Sequence, residues 1–401
     1  MKGHIRQRGK RSFELKFDAG RDPATGERKI QYISFKGTKR EAQVKLAELI
    51  ASVGKGAYVE PHKVTVAEFV RARVDQWEAA GDISARTAQR YRQLAENQIV
   101  PHLGAMLLQK LRPLDVETWH TALRNGGRVR GEGGIAPRTI GHAHRILGKA
   151  LRDAARNGMV SRNVVSEQSA PKVTDDEMVI VQDVPSLVER LRGWRLGTVA
   201  MVSLFTGLRL SEALALHWNC VDLDGGVLKV REALEQTKAQ GIRLKPPKSK
   251  ASRRDITLPD MLVEVLRDHR KGALELRMQL GVGRLADDAL LFATIEGRPL
   301  SPNAVSAAWA DFAASIGMPQ VTFHALRHTH ASQLIHEGVD IVTISKRLGH
   351  VKPDITLRIY AHMFEKDDSK AAAAINAVWN RRVAIRWHCP ICSRVVLLTD
   401  A

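Results

Sequence analysis

Two short motifs in the second half of the chain carry cationic side chains that could bind an anion. The first, TGLRLSEALALHW, places Arg209 in the first turn of a predicted helix that Thr206 could cap. The free amides at a helix N-terminus favour an anion, so an arginine at this position suits an anionic ligand. The second, FHALRHTHASQLI, places His324 and Arg327 three residues apart and therefore on one helix face.

A third motif, LGHVKPDITLRIYAHM, adds a histidine and a tyrosine. Gly349 ends one predicted helix and leaves His350 just beyond it, and Pro353 with Asp354 starts another helix that carries Tyr360. The chain has only four tyrosines. A phenol has a pKa of about 10 and needs surrounding positive charge to act as a nucleophile. Considered alone, a tyrosine in a helix is more often a packing residue.

The composition indicates what such an anion could belong to. The chain has 62 Lys and Arg against 43 Asp and Glu, a net charge of +19 and a pI near 10.1. This excess favours a polyanionic partner, most simply nucleic acid, although a solubility charge or a genomic base-composition bias would also produce it. An enzyme that cuts and rejoins a nucleic-acid backbone needs a nucleophile, positive donors around the phosphate and an acid for the leaving 5′ oxygen.

Other classes of protein find less support in the sequence. A magnesium-dependent nuclease needs clustered carboxylates, and the last part of the chain has no convincing cluster of that kind. Neither G-x-x-x-x-G-K-[ST] nor G-x-G-x-x-G occurs, so nucleotide hydrolysis and dinucleotide redox chemistry are not indicated. An apolar run of about 18 residues and a signal peptide are both missing, which predicts a cytoplasmic protein without membrane contact.

The cysteines predict neither a disulfide framework nor a metal centre. Three cysteines in a chain of 401 residues agree with a reducing compartment. Cys389 and Cys392, with the CxxC spacing and next to His388, look like half a zinc ribbon. A closed zinc site needs four ligands and no second pair exists, so no cofactor is expected.

The first 60 residues predict a small β-sheet followed by a helix. SFELKFDAGRDPATGERKIQYISF alternates as two strands joined by a Pro/Gly turn. Thr38 and Glu41 have the spacing of a capping box, and Ala42 and Leu46 recur at helical spacing after it. Small basic sheets can lie in a DNA groove, but they also have other uses.

From Val64 to about Val165 the pattern is helical throughout. Thr65 and Glu68 form another capping box, and the segment Pro137–Gly158 has the start and stop residues of a helix. The exposed faces carry many arginines that could hold a DNA backbone, although any solvated helix shows charged outer faces.

The remainder of the chain mixes helices with a short β region. The polar segment Ser166–Met178 indicates a linker. After it, GGVLKVREAL and RRDITLP alternate like strands, with the basic KPPKSKASRR between them. Helices are predicted again from there to about Val383.

Taken in order, these motifs resemble the tyrosine recombinase family of the phage-integrase type. The matching elements are T-G-L-R-x-S-E, a lysine in a β-hairpin, H-x-L-R, L-G-H and a tyrosine ten residues after that histidine. Five elements in this order are far more specific than any one alone. The resemblance covers the whole chain and implies a multidomain α+β fold. It implies an arm-type DNA-binding domain over 1–62 (a small sheet plus a helix), an all-α core-binding domain over 63–168, and a mainly α catalytic domain with a small sheet and a C-terminal tail over 169–401.

The resemblance also implies a role for each of the singled-out side chains. Tyr360 would attack the scissile phosphate and form a 3′-phosphotyrosine link. Arg209 and Arg327 would hold the non-bridging oxygens, for which the guanidinium fork is well shaped. His324 and His350 would hydrogen-bond the phosphate and assist proton transfer.

The acid for the 5′ leaving oxygen would be a lysine of the β-hairpin, and KPPKSKASRR offers Lys248 and Lys250. Lys248 is preferred because family hairpins usually have a lysine, a small residue and then a second basic residue. Glu212, one turn after Arg209, would orient catalytic groups. The implied reaction needs neither metal nor ATP.

The implied function is site-specific DNA recombination that integrates or excises a mobile element. The partners would be double-stranded DNA with core and arm attachment sites, three further copies of the chain in a homotetramer, and a host bending factor or an excisionase. Two alternatives remain: a type IB topoisomerase-like activity, and a catalytically silent DNA-binding regulator of the same fold.

The remaining histidines and tyrosines match no catalytic position. The histidines expected to be structural or to lie near DNA are His328, His330, His336 and His362. The tyrosines expected to pack are Tyr32, Tyr58 and Tyr91.

Overall fold

The computed structural model of the protein describes residues 3–21, 26–54, 58–173, 178–247, 250–363 and 369–380. They form two compact units. Unit 1 is Met1–Asp176 with Thr237–Ala239, and unit 2 is Glu177–Gln236 with Gln240–Ala401. Among the described residues, no helix is both long enough and apolar enough to span a membrane.

Unit 1 begins with a three-stranded antiparallel sheet and one helix. Its elements are β1 (His4–Gly9), β2 (Ser12–Arg21), β3 (Arg28–Lys36) and α1 (Lys39–Gly54). The predicted hairpin of β2 and β3 is confirmed, and β1 joins it on the other edge of β2. Phe13, Leu15 and Phe17 alternate along β2 and are buried in one cluster with Ala42 and Leu46 of α1. Side chains point to the same side every two residues in a strand and about every 3.6 residues in a helix. The three strand residues therefore share one face of β2, and the two helix residues share the face of α1 that packs against it.

The rest of unit 1 is helical, as predicted. The helices are α2 (Val66–Ala79), α3 (Ala85–Leu94), α4 (Val100–Leu103), α5 (Pro113–Gly126) and α6 (Pro137–Arg156), with a π-helical turn at Ala95–Ile99. Both predicted capping boxes form: Glu68 N–H donates to Thr65 Oγ1 at 3.3 Å, and Glu41 N–H to Thr38 Oγ1 at 3.3 Å. The predicted stop of α6 is confirmed, since its C-cap is Asn157 and Gly158 has a φ of 67°.

Unit 2 contains the remaining elements. The helices are α7 (Val184–Arg192), α8 (Gly197–Thr206), α9 (Leu210–Ala213), α10 (Asp260–Gln279), α11 (Pro302–Ser315), α12 (Phe323–His336), α13 (Ile341–Leu348), α14 (Pro353–Tyr360) and α15 (Ser369–Asn380). The strands are β4 (Val221–Asp222), β5 (Val227–Val230), β6 (Ala233–Thr237), β7 (Gly241–Lys245) and β8 (Arg254–Thr257). The class is mixed helix and small sheet, which confirms the predicted α+β fold.

The β region of unit 2 differs in detail from the prediction. GGVLKVREAL divides between β5 and β6, and an unpredicted strand, β7, follows it, ends at the first lysine of the basic segment KPPKSKASRR and pairs with β6. The sheet that holds RRDITLP has the antiparallel order β4-β5-β8, with Val230 opposite Arg254. Arg254 and Ile256 face inward and are buried, while Asp255 and Thr257 are exposed.

The core of unit 2 surrounds α8, an apolar helix whose residues are almost all buried. A helix that is apolar all round belongs inside a domain. It ends at Gly207, whose φ is 70°. A Cβ at Gly207 would lie 2.7 Å from His330 Cδ2 and 2.7 Å from Leu348 Cδ2, so both the backbone conformation and the close packing require glycine.

Several predictions fall on residues outside the described ranges. These are Lys248, Cys389, Cys392 and the tail beyond Asn380. The predicted linker begins later than expected, since Val164–Glu167 forms a short 3₁₀ turn, and its residues 174–177 are also outside the described ranges.

Candidate active site

Arg209 lies at the start of α9, a helix of only four residues. The prediction that Thr206 caps this helix is wrong, because Thr206 ends α8 and its hydroxyl donates to the Val202 carbonyl. The N-cap is Arg209 itself: its N–H donates to Glu212 Oε2 at 3.1 Å, and its Nη1 donates to Oε1 at 2.8 Å. Its side chain remains 37% exposed, so it can still meet a ligand.

Glu212 joins this arginine to a second one from the sheet. The carboxylate is 3% exposed, and Arg254 Nη2 on β8 donates to Oε2 at 3.0 Å. Burial raises the pKa of Glu212, but the charges of Arg254 and Arg209 outweigh it and hold the pKa below its usual value. Glu212 thus contacts both guanidinium groups, and its role in orienting catalytic groups stays a prediction.

Sequence reasoning missed Arg254. Its Nε donates to the Arg347 carbonyl at 2.6 Å and its Nη1 to the Ser252 carbonyl at 3.0 Å. Burial lowers the pKa of Arg254, although Glu212 opposes this. The signal was present in RRDITLP, since an arginine at an inward position of an alternating strand needs a carboxylate partner.

Gly349 allows Arg254 to reach the end of α13. The glycine is the C-cap of α13, with a φ of 68°. A Cβ there would lie 2.7 Å from Arg254 Nη1 and 3.3 Å from the Ala251 carbonyl oxygen. The predicted helix stop is confirmed, and the structure adds that the guanidinium packs against this stop.

Arg327 is a buried arginine, 3% exposed, on α12. Its Nη1 donates to the Gly207 carbonyl at 2.5 Å, and its Nη2 donates to the Leu348 carbonyl at 2.7 Å and to His350 Nε2 at 2.9 Å. Burial, followed by the charge of Arg209, lowers the pKa of Arg327 to about 9. A desolvated guanidinium bound to neutral groups is a strong anion receptor.

His350 lies between α13 and α14, as predicted. Because a guanidinium can only donate, Nε2 of His350 must accept from Arg327. The proton of the neutral ring is therefore on Nδ1, which lies 2.7 Å from Thr356 Oγ1 and can donate to it. Burial and Arg327 lower the pKa of His350 to about 4. Thr356, which is fully buried, is a contact that the sequence motifs did not indicate.

Tyr360 is the last residue of α14 and is 1% exposed. It belongs to a hydrophobic cluster with Ala331, Ile335, Ile344 and Leu348. Its hydroxyl lies 2.8 Å from His328 Nδ1 on α12. Burial raises the pKa of Tyr360 to about 12, although Arg327 opposes the shift. Tyr360 is therefore both a packing residue and the carrier of a hydroxyl that is hydrogen-bonded to an imidazole.

His324 and His328 lie one turn apart on α12. Their rings meet edge to face with centroids 4.8 Å apart, and the ring of His328 lies 5.8 Å from that of Tyr360. His324 is exposed, and His328 is half-buried. Desolvation by neighbouring groups and the charges of His328 and Arg327 lower the pKa of His324 to about 4. The three side chains form a row from solvent to the tyrosine hydroxyl.

His330 has the structural role expected of it. It is 7% exposed, its Nε2 accepts from Arg347 Nε at 3.1 Å, and burial lowers its pKa to about 3. Arg347 also donates to the carbonyls of Phe205 and Thr257. This pair ties α12 and α13 to the end of α8.

The other predicted groups have mixed outcomes. Lys250 belongs to the 3₁₀ turn Lys250–Ser252 just before β8, whereas Lys248 lies outside the described ranges. Tyr58 and Tyr91 pack edge to face against Phe17 and Trp77, as predicted. Tyr32 is 56% exposed, so the packing prediction is wrong there.

Within the described ranges, no group of three or more His, Cys, Asp or Glu could hold a metal ion.

Two family models match this chain. The phage integrase family matches residues 180–367, and the N-terminal SAM-like domain of phage integrases matches residues 70–124. Relatives extend over most of the chain. A tyrosine recombinase XerC-like protein of Caldanaerobacter subterraneus is 24% identical over 92% of this chain and 96% of its own length. An integrase of Streptomyces ambofaciens is 27% identical over 90% and 92%.

Solved structures share the fold. The Tn1549 transposon integrase in complex with circular intermediate DNA has a TM-score of 0.63 at 18% identity, and the match covers 78% of this chain and 99% of that one. A lambda integrase dimer bound to a core site has a TM-score of 0.53 at 16% identity, over 88% and 93%. The chain belongs to the phage integrase family and is a tyrosine-type site-specific DNA recombinase.

Proposed function

We propose that the protein cleaves and rejoins DNA strands through a covalent 3′-phosphotyrosine intermediate at Tyr360, and so integrates or excises a mobile element. The relatives named integrase include those of Streptomyces ambofaciens and Mycobacterium phage L5, which supports a mobile element as the substrate. The strongest support for the chemistry is the set of contacts that Arg327 makes.

Arg327 and its neighbours have more positive charge than the carboxylates near them can balance. Arg209 and Arg254 share the single carboxylate of Glu212, while the hydrogen bonds of Arg327 go to two carbonyls and an imidazole. A phosphodiester would supply the missing negative charge, and a guanidinium fork matches its two non-bridging oxygens. Arg209 and Arg327 are therefore the proposed phosphate clamp.

The histidines and a lysine would complete the reaction. His324 lies on the same helix as Arg327 and could donate to the phosphate held there. His350 contacts Arg327 through Nε2, and it could donate to the phosphate once the phosphate replaces it as the acceptor of Arg327 and its ring proton moves to Nε2. For the acid on the 5′ leaving oxygen we retain Lys248, with Lys250 as the alternative. Lys250 belongs to the turn that leads into β8 and Arg254, which supports a lysine from this segment near the clamp.

The burial of Tyr360 sets a condition on this proposal. A tyrosine that is 1% exposed cannot take an in-line position at a phosphate without some displacement of α14 or of the groups above it. The helix is short and begins just after the loop at His350. Binding of the DNA would therefore have to displace α14 or the groups above it before strand cleavage.

The predicted domain roles are also part of the proposal. Separate hydrophobic clusters occur in the sheet with α1, in the helices α2–α6, and in unit 2. They support an arm-type DNA-binding domain over 1–62, a core-binding domain over 63–168 and a catalytic domain over 169–401. The lambda integrase is described as a tetramer on a Holliday junction, and a homotetramer on two DNA duplexes is proposed here, with a bending factor or excisionase as a further partner.

A nicked suicide substrate tests the proposed chemistry. A duplex that carries the element's junction, nicked close to the scissile phosphate, should trap the protein as a covalent adduct without added metal. The Tyr360→Phe variant should form no adduct, because it lacks the nucleophilic oxygen. Tyr91→Phe is the matched control, since Tyr91 packs against Trp77 in unit 1, and it should react like the wild type.

Two results would contradict the proposal. Adduct formation by Tyr360→Phe would show that another side chain is the nucleophile. Specific DNA binding by the wild type without any adduct on cognate junctions would favour the silent DNA-binding alternative.

A further inference from the structure

We propose that His328 accepts the proton of the Tyr360 hydroxyl during strand cleavage and returns it during religation. His328 was assigned no catalytic role by its motif position. The inference rests on the proposed nucleophile Tyr360 and adds a proton acceptor for it.

The first support is the hydrogen bond itself. Tyr360 Oη and His328 Nδ1 are 2.8 Å apart, a distance at which a proton can pass directly between the two atoms. A phenol that attacks phosphorus must lose its proton, and direct transfer needs a base within hydrogen-bond reach. Among the described residues, His328 is the side chain that forms a hydrogen bond with this hydroxyl.

The second support is that the other two histidines do not contact the Tyr360 hydroxyl. Nε2 of His350 accepts from Arg327, and Nδ1 lies against Thr356. His324 contacts His328 through its ring, not the tyrosine oxygen. His324 could donate to a bound phosphate, while His328, one residue after Arg327 on α12, faces the hydroxyl.

The third support is the charge around His328. The titratable groups near it are His324 and Arg327 on its own helix and Tyr360 on α14. Burial, and then the charge of Arg327, lowers the pKa of His328. The ring is therefore neutral near pH 7 and can accept a proton, whereas Tyr360 with a pKa of about 12 would almost never ionise unaided.

The step balances in both directions. In cleavage, the bond from Tyr360 Oη to phosphorus forms, the hydroxyl proton moves to His328 Nδ1, and the bond from phosphorus to the 5′ oxygen breaks. That oxygen takes its proton from the lysine acid, Lys248 or Lys250. In religation, the 5′ hydroxyl attacks phosphorus and returns its proton to the lysine. The bond from phosphorus to Tyr360 Oη breaks, and the departing tyrosine oxygen recovers the proton from His328.

Single-turnover cleavage by two His328 variants tests the inference. In His328→Asn, the amide oxygen can occupy the place of Nδ1 and keep the hydrogen bond, but it cannot take up a proton. His328→Ala removes both functions, and His336→Asn is the matched control on the exposed end of the same helix. A substrate with sulfur at the bridging 5′ position removes the need for the acid, so that only deprotonation of the nucleophile limits the rate.

With this substrate at pH 7, His328→Asn should cleave about 10²–10⁴-fold more slowly than the wild type, while His336→Asn should match it. The wild-type rate should level off above the pKa of His328. The rate of His328→Asn should instead keep rising up to pH 9.5, as hydroxide removes the tyrosine proton, so the deficit should shrink.

Three outcomes would overturn the inference. Wild-type rates for His328→Asn would show that only the hydrogen bond matters. Faster cleavage by either variant would show that His328 restrains the tyrosine. A deficit that is constant with pH would indicate a general structural defect. Tyr360→Phe in the same assay separates these results from a wrong nucleophile, because an adduct from that variant would refute the proposed function first.

Discussion

Charged side chains are arranged differently in the helices of unit 1 and around α12 in unit 2. In unit 1, the ion pairs Arg71–Glu96 at 2.6 Å and Arg112–Asp115 at 3.0 Å lie at the surface. In unit 2, Glu212 is buried between two arginines, and Arg327 is buried against neutral groups. Each of the two surface pairs is balanced and solvated, whereas the group around Glu212 and Arg327 is buried and has more cations than carboxylates.

The difference shows where folding free energy has been given up for binding. Exposed ion pairs contribute about 0–1 kcal/mol each to the free energy of unfolding. In each pair, both charges are neutralised. Buried cations in excess of carboxylates cost desolvation energy that the protein alone does not recover. A bound phosphodiester would recover it, so the imbalance supports the proposed anion site.

The largest effect is expected when the buried carboxylate is removed. Glu212→Gln leaves the Arg254 guanidinium, which is buried, without a counter-charge, and should lower the free energy of unfolding of unit 2 by about 3–5 kcal/mol. Glu96→Gln breaks an exposed pair and should cost about 1 kcal/mol or less. Thermal and urea unfolding followed by circular dichroism measure both. Equal costs for the two variants would refute the contrast between the units.

The next effect concerns cleavage. Arg327→Lys loses the planar fork, so the rate of adduct formation on the suicide substrate should fall about 10²–10³-fold. Arg71→Lys changes an arginine of similar charge in an exposed pair of unit 1 and should cleave nearly as fast as the wild type. Adduct yield against time on denaturing gels gives the rates. A lysine variant with the wild-type rate would remove Arg327 from the clamp.

A smaller effect should follow from filling the space beside Arg254. Gly338→Ala and Gly349→Ala both place a Cβ at a positive φ, of 75° and 68°, which costs about 1–2 kcal/mol. Nothing lies within 4 Å of the Cβ at position 338, whereas at 349 it meets Arg254 Nη1 at 2.7 Å. Gly349→Ala should therefore lower the melting temperature of unit 2 more than Gly338→Ala does. Equal shifts would show that the guanidinium can move at no cost.

The smallest effect is a pH dependence in unit 1. His120 Nε2 and His144 Nδ1 lie 3.2 Å apart in its core, and burial, then the charges of His144 and Arg124, lowers the pKa of His120 to about 4. The folded state thus binds fewer protons than the unfolded state. This stability is present above pH 6.5 and is lost as the pH falls from 6.5 towards 4.

His120→Gln does not titrate in this window. From pH 7 to 5.5, the unit 1 transition of the wild type should lose about 1 kcal/mol more than that of the variant. Calorimetric scans at several pH values separate the two transitions, and the unit 2 transition is the internal reference. Parallel pH slopes for the two proteins would contradict the prediction.

Much of the architecture could be predicted from local sequence. The β2–β3 hairpin, the two capping boxes, the stop of α6 at Asn157–Gly158 and the break at Gly349 all depend on residues within a few positions of one another. Such features express backbone preferences that a short window contains. The start of α9 was misassigned because threonine is a preferred N-cap residue, and only the tertiary structure shows that Thr206 is the last residue of α8.

The sequence by itself determined the order and spacing of the residues from Arg209 to Tyr360, and with them the family resemblance and the helices that carry these side chains. The tertiary structure alone decided that Arg254 binds Glu212, 42 positions away, and that His328 lies against the Tyr360 hydroxyl, 32 positions away. It also decided that Tyr360 is buried. Periodicity assigns a side chain to a face of its own element, but partners across elements depend on how those faces pack.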